Sequence, residues 1–158
     1  MQHRIKEMSE DINGNHVIQK ILQTWASQHN QFLYDAMERQ CVEIACHKHG
    51  CCIMQKCIDS ATEEQKRSLT MCIAKNTLIF VKNPFGNYVV QFVLKLKNQQ
   101  VNQLISRELM SDIINLSKQK FSSNVIEKCL EHNTKEVNKQ LVACIMSESR
   151  CYFDLLSD

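Results

Sequence analysis

The sequence is short of the residues that usually punctuate a chain. It holds three glycines and one proline in 158 residues, and no linker or low-complexity segment separates one part from another. No apolar run reaches the length of a membrane span, and no signal-peptide pattern is visible. Net charge is scarce too. A formal +2 is too weak for a protein that holds nucleic acid through its phosphates alone. The nine cysteines are an odd number and outline no disulfide framework; they read as reduced, small hydrophobes of a cytoplasmic protein. No nucleophile sits beside a base in a recognisable motif, which excludes an enzyme of familiar type. The stretch CHKHGCC brings Cys46, His47, His49, Cys51 and Cys52 close together, but their spacing matches no structural zinc pattern. No metal and no cofactor is expected.

What is present is a repeat. All three glycines open one heptapeptide: GNHVIQK from Gly14, GCCIMQK from Gly50 and GNYVVQF from Gly86. A fourth copy, SSNVIEK, opens at Ser122, so the starts fall at 14, 50, 86 and 122, a constant step of 36 residues. A fixed period in this range marks a stacked-repeat protein. The phase extends well outside the heptapeptide. Met8, Ile44, Phe80 and Leu116 share one apolar register; Leu33, Leu69, Ile105 and Leu141 share a second; Met37, Ile73, Leu109 and Ile145 a third. Within the heptapeptide, Val17/Ile53/Val89/Val125 and Ile18/Met54/Val90/Ile126 are always apolar. Ile21/Cys57/Val93/Cys129 and Leu22/Ile58/Leu94/Leu130 continue that stripe at i+3 and i+4, the apolar face of a helix.

A second helix is expected in each unit, opened by capping boxes at Ser60 with Glu63 and at Asn133 with Glu136. A third, shorter helix precedes the heptapeptide, as in LIFVKN before Pro84. No unit of this size buries its apolar face alone, so the units must stack. The expected fold is therefore all-α, a curved α-solenoid of three-helix repeats. Residues 1–37 form a partial repeat, 38–73, 74–109 and 110–145 whole ones, and 146–158 the start of a truncated one. Cutting a solenoid inside a repeat leaves apolar surface uncovered, so self-association through residues near Met8 and Phe153 to Leu156 is expected. Trp25, Phe32 and Tyr34 are expected to pack between helices.

Four positions of the heptapeptide do not fit a packing role: Asn15/Cys51/Asn87/Ser123, His16/Cys52/Tyr88/Asn124, Gln19/Gln55/Gln91/Glu127 and Lys20/Lys56/Phe92/Lys128. The first and third lie one turn apart on the same face. They pair a small polar group or thiol with an amide or carboxylate in every unit, where a merely solvated face would drift.

These residues resemble the Pumilio-homology (PUF) family of sequence-specific, single-stranded RNA-binding proteins, and the resemblance covers nearly the whole chain. In that family each repeat reads one base with two or three side chains. The resemblance implies that Asn15/Gln19 read uracil, Cys51/Gln55 adenine, Asn87/Gln91 uracil and Ser123/Glu127 guanine. Because the family binds RNA antiparallel to the protein, the bases read 5′-GUAU-3′, within the UGUA that opens the family's targets. The repeats here would correspond to the family's fourth to seventh, with the start of the eighth. His16, Cys52, Tyr88 and Asn124 take the stacking position between bases; Lys20, Lys56 and Lys128 are weak backbone contacts. Two positions depart from the family's habit: Cys52 replaces an arginine or aromatic residue, and Phe92 replaces a lysine.

Base chemistry agrees with this assignment. Guanine alone offers two donors on its pairing edge, and a carboxylate such as Glu127 accepts both. Uracil presents acceptor, donor, acceptor, which two amides can match. Adenine offers one acceptor beside one donor, which one amide satisfies, and a small Cys51 leaves room for the purine. The implied function is binding of UGUA-type elements in mRNA 3′ untranslated regions, with co-repressors or deadenylation machinery recruited on the outer face. Two alternatives stand beside it: a protein-binding helical scaffold of the HEAT or armadillo kind, and a relative acting in ribosomal-RNA processing.

Overall fold

The computed structural model describes residues 2–155, with side chains described for residues 4–147. Among the described residues there are twelve α-helices, one short 3₁₀ turn at Ser27–His29 and no strand. The helices fall into a recurring trio. A short helix comes first, α4 (Cys41–Ala45), α7 (Thr77–Val81) or α10 (Ile113–Ser117), with the longer α1 (Gln2–Glu10) in that role at the front. The glycine- or serine-led helix follows: α2 (Gly14–Thr24), α5 (Gly50–Ser60), α8 (Gly86–Lys95) and α11 (Ser122–His132). The third member is α3 (Gln31–Arg39), α6 (Glu63–Lys75), α9 (Gln99–Met110) or α12 (Lys135–Leu155).

Like packs on like. α2, α5, α8 and α11 each lie against the next, and so do α3, α6, α9 and α12. The result is an α-solenoid whose core is the set of apolar registers read from the sequence. Ile44, Phe80 and Leu116 are fully buried; so are Leu69, Ile105 and Leu141, and Met37, Ile73 and Leu109. Polar bonds fasten neighbouring units across that core. The Tyr34 hydroxyl donates to the Cys57 carbonyl at 3.0 Å, and Gln65 Nε2 donates to the Ser27 carbonyl at 2.9 Å. Asn133 Nδ2 donates to Ser106 Oγ at 2.8 Å. Burial pushes the Cys57 and Cys129 thiols up to about 12, so both stay protonated and act as small hydrophobes.

The caps differ from the sequence expectation by one or two residues. α5 runs through Ser60, and the box that opens α6 is formed by Thr62 and Gln65: Thr62 Oγ1 accepts from the Gln65 amide at 3.3 Å, and Gln65 Oε1 accepts from the Thr62 amide at 2.9 Å. α12 is opened by Thr134, whose hydroxyl accepts from the Val137 amide at 3.4 Å, while Asn133 is spent on Ser106. Both expected boxes had the right chemistry beside the right residue. Extended backbone at Thr62, required of an N-cap, decided between them.

Of the three aromatics expected to pack, only Tyr34 does; Trp25 and Phe32 are 58% and 41% exposed. Met8 itself is half-buried against the core, while Ile12, four residues on, is 63% exposed. The side chains of Phe153, Asp154 and Leu155, and all of Leu156, lie outside the described residues. The backbone of α12 runs unbroken past residue 145 to Leu155. Uncovered apolar surface also sits at Val17, Leu130 and Val142. Their counterparts in the neighbouring units, Ile53, Leu94 and Ser106, are buried, because an adjoining unit covers them.

The glycines mark the tightest approach in each trio. A Cβ at Gly50 would stand 2.1 Å from the Ile44 carbonyl oxygen, and one at Gly86 3.0 Å from that of Phe80. The same carbonyl in the last unit, Leu116, receives the Ser122 hydroxyl at 2.6 Å, which is how a side chain is admitted there.

Two outcomes are expected. Gly50→Ala should destabilise the chain by about 1–3 kcal/mol, the usual cost of overpacking, lowering the melting temperature by roughly 2–4 °C per kcal/mol. Thermal melts should rank it as more damaging than Gly86→Ala. In sedimentation over a concentration series, the chain should self-associate, and Val17→Glu or Val142→Glu should reduce that association. A parent that stays monomeric throughout would leave the uncovered valines without consequence.

Candidate nucleic-acid interface

The second helices of the trios, α2, α5, α8 and α11, bring the chemistry-bearing positions of the heptapeptide to one face. The turn into three of the four helices is held by a polar acceptor that sequence reasoning missed. The Asp11 carboxylate accepts from the amides of Gly14 at 2.6 Å and Asn13 at 2.9 Å, bonds that hold its carboxyl below the usual carboxylate range. Asn83 Oδ1 does the same for Gly86 at 2.9 Å and Phe85 at 2.8 Å, and His47 Nδ1 accepts from the His49 amide at 3.3 Å. The signal was an Asx residue three positions before a helix-opening glycine.

On the helices themselves, the first position of each pair turns inward. Asn15 and Asn87 are buried, and Asn87 is 1% exposed. Asn15 Nδ2 donates to the carbonyls of Asp11 at 2.8 Å and Ile12 at 2.9 Å; Asn87 Nδ2 donates to that of Asn83 at 2.9 Å. Cys51 Sγ likewise faces the Lys48 carbonyl at 3.3 Å, and Ser123 Oγ that of Lys120 at 3.5 Å. All four side chains therefore bond to backbone carbonyls of the turn that precedes the helix, and those of Asp11 and Asn83 also accept from the helix's own amides. Burial and the neighbouring Cys52 push the Cys51 thiol up to about 12.

The second position of each pair stands further out. Gln19 Nε2 donates to Asn15 Oδ1 at 2.7 Å and Gln91 Nε2 to Asn87 Oδ1 at 2.9 Å, so each asparagine orients its glutamine. The Glu127 side chain is exposed, and among the described residues it makes no ion pair or hydrogen bond, though it lies within electrostatic reach of Lys128. Of the stacking positions, Tyr88 is 56% exposed, and His16, Cys52 and Asn124 are exposed as well. A cleft of about 290 Å³ lies between two units, lined by Cys51, Cys52 and Gln55 on one side and Tyr88, Gln91 and Phe92 on the other. Its walls supply one flat aromatic face and two amides, the components of a base-sized site.

The lysine position behaves unevenly. Lys56 donates to Gln19 Oε1 of the preceding unit, whereas Lys128 pairs with Glu131 at 2.5 Å within its own helix. Lys20 is exposed, and Phe92 packs partly against the core. Among the described residues, no cluster of three metal-binding side chains is found, and no helix is long and apolar enough to cross a membrane.

Comparison with known proteins meets this geometry unit by unit. The model of the Pumilio-family RNA binding repeat matches at residues 4–37, 40–73, 77–110 and 112–146. Pumilio homolog 12 of Arabidopsis thaliana is 43% identical over 131 residues, covering 83% of this chain and 22% of that protein. The Pumilio domain-containing protein C6G9.14 of Schizosaccharomyces pombe is 38% identical over 141 residues, 89% of this chain and 21% of its own. Among solved structures, the Puf4 RNA binding domain bound to the HO endonuclease RNA 3′ UTR recognition sequence superposes with a TM-score of 0.83 at 36% identity, covering 93% of this chain and 46% of that one. The chain thus spans under a third of its curated relatives' length and about half of a solved PUF domain. With four successive matches accounting for nearly every described residue, this chain is a member of the Pumilio family of RNA-binding repeats.

Proposed function

We propose that the chain reads 5′-GUAU-3′ in single-stranded RNA, one base per repeat and antiparallel to the protein. Ser123/Glu127 take the guanine, Asn87/Gln91 the first uracil, Cys51/Gln55 the adenine and Asn15/Gln19 the last uracil. The units 38–73, 74–109 and 110–145 are the complete readers. The target is a UGUA-type element in the 3′ untranslated region of a cytoplasmic mRNA. Binding lowers translation or stability through repressor or deadenylation proteins on the outer face, with no catalysis by the chain itself.

The observation that carries this reading is the state of Glu127. It is the one acid among four equivalent positions, it lies on the face shared with Gln19, Gln55 and Gln91, and its exposed carboxylate has no ion-pair or hydrogen-bond partner among the described residues. A carboxylate there accepts from guanine N1–H and N2–H₂ together and has nothing to donate to uracil's carbonyls. The exposed stacking residues add a spacing argument. Bases in a stack sit ~3.4 Å apart, whereas packed helices sit roughly 8–10 Å apart. A side chain slipped between successive bases about doubles their separation and brings the two periods closer. Related Puf4 and Puf5 structures carry 3′ UTR or named mRNA sequences, which supports the same target class here.

The test is a competition between RNAs that differ at the guanine alone. Ser123→Asn with Glu127→Gln copies the pairs of the first and third repeats and should switch preference from G to U, by about 1–3 kcal/mol for a well-matched contact. Glu127→Gln alone should lose the guanine preference without gaining the full uracil one. A double mutant that chose G as strongly as the parent would show that these two residues are not the readers. At the neighbouring base, Cys52→Tyr should tighten binding, because base–aromatic stacking contributes ~1–3 kcal/mol. Unchanged or weaker affinity would remove Cys52 from between the bases.

A further inference from the structure

The two Asn–Gln pairs are identical in sequence and differ in the structure. In both, the glutamine Nε2 donates to the asparagine Oδ1, so one amide hydrogen is already committed. What differs is the glutamine oxygen. At Gln19, the ammonium of Lys56, from the next repeat, donates to Oε1. At Gln91, the equivalent lysine, Lys128, is drawn away by Glu131, three residues further along its own helix, at 2.5 Å. Gln91 Oε1 accepts no hydrogen bond among the described residues. Lys56 has an acid in the same relative position, Asp59, but the two make no ion pair here. Its carboxylate is one methylene shorter than that of Glu131.

That difference falls on the atom that separates the two pyrimidines. Uracil and cytosine both offer O2 as an acceptor. They part at N3, a donor in uracil and an acceptor in cytosine, and at position 4, an acceptor in uracil and a donor in cytosine. A glutamine that tells them apart needs a free carbonyl oxygen for uracil N3–H. Gln91 presents one. At Gln19 a charged donor already occupies that oxygen, in the stronger class of hydrogen bond. The same ammonium brings further N–H donors to the rim of the site. Those donors serve uracil through O4 and O2, and cytosine through N3 and O2. We infer that Lys56 is a specificity-determining residue of the repeat before its own: it makes the Asn15/Gln19 site a pyrimidine reader, whereas the Asn87/Gln91 site stays strict for uracil because Glu131 holds Lys128 aside. This rests on the one-base-per-repeat reading proposed above.

The experiment is competition binding of the 158-residue chain to three RNAs at one fixed salt concentration: 5′-UGUAUA-3′, 5′-UGUACA-3′ and 5′-UGCAUA-3′. The first-repeat substitution, UGUACA, should bind within about threefold of UGUAUA, and the third-repeat substitution, UGCAUA, should lose roughly tenfold. Lys56→Met removes the ammonium and keeps the length of the side chain. It should open the U-over-C preference at the fifth base towards the tenfold of the third. Glu131→Gln frees Lys128 to reach Gln91 and should narrow the preference at the third base. Both residues lie on the surface, so neither change threatens the fold. If Lys56→Met weakened all three RNAs equally and left their ratios unchanged, Lys56 would be a phosphate contact only, and the inference would fall. A parent that did not prefer UGUAUA to a base-scrambled hexamer would overturn the proposed function, and this inference with it. A parent that kept that preference, but with equal U-over-C ratios at both bases, would overturn this inference alone.

Discussion

The close approach between the short helix and the first residue of the base-facing helix governs the rest of the structure. At Gly50 the Ile44 carbonyl comes so near that no Cβ fits. The chain turns sharply there, and the turn aims the next helix across the solenoid. Three of the four repeats use glycine for this, and the fourth uses a serine whose hydroxyl bonds the same carbonyl. The turn presents its backbone carbonyls to the start of that helix, and Asn15, Asn87, Cys51 and Ser123 donate to them. The residues that the family code assigns to base edges are thus also the residues that finish the turn. Structure and recognition draw on one small side chain per repeat.

This double duty shapes the interface. An asparagine bonded to two carbonyls has spent both of its donors, and its oxygen is held by the glutamine one turn later. The glutamine is left as the mobile partner, oriented from beneath by the asparagine and, in the first repeat, from the side by Lys56. The chain's modest net charge goes with a face built of directional groups rather than of basic ones. The lysines that remain are distributed by their acids: Glu131 takes Lys128, and Asp59 leaves Lys56 to the neighbouring repeat.

Much of this was legible in the amino-acid sequence because a stacked repeat states its own rules several times over. The period placed Ile44, Phe80 and Leu116 in one buried register without a structure, and it placed Gln19, Gln55, Gln91 and Glu127 on one face. Where a residue had no recurrent partner, the reading was weaker. Trp25 and Phe32 are large and apolar, yet their registers hold Lys97 and Ser68 in other repeats, a sign of surface that composition alone obscured. The capping boxes were assigned by residue type; Thr62 displaced Ser60 because its backbone is extended where α6 begins, and Thr134 caps α12 while the Asn133 side chain is bonded to Ser106.

The sequence by itself determined the period, the helical faces and the residue that stands at each position of the repeated heptapeptide, because these follow from local spacing that recurs every 36 residues. Only the tertiary structure decided which of those side chains are already engaged. Asn15 and Asn87 are buried and bonded, Glu127 is open, and Gln19 alone receives a lysine from the next repeat. The physical reason is that a hydrogen-bond partner 37 residues away is set by how one repeat packs on the next. That packing has no signature in the local pattern of either repeat.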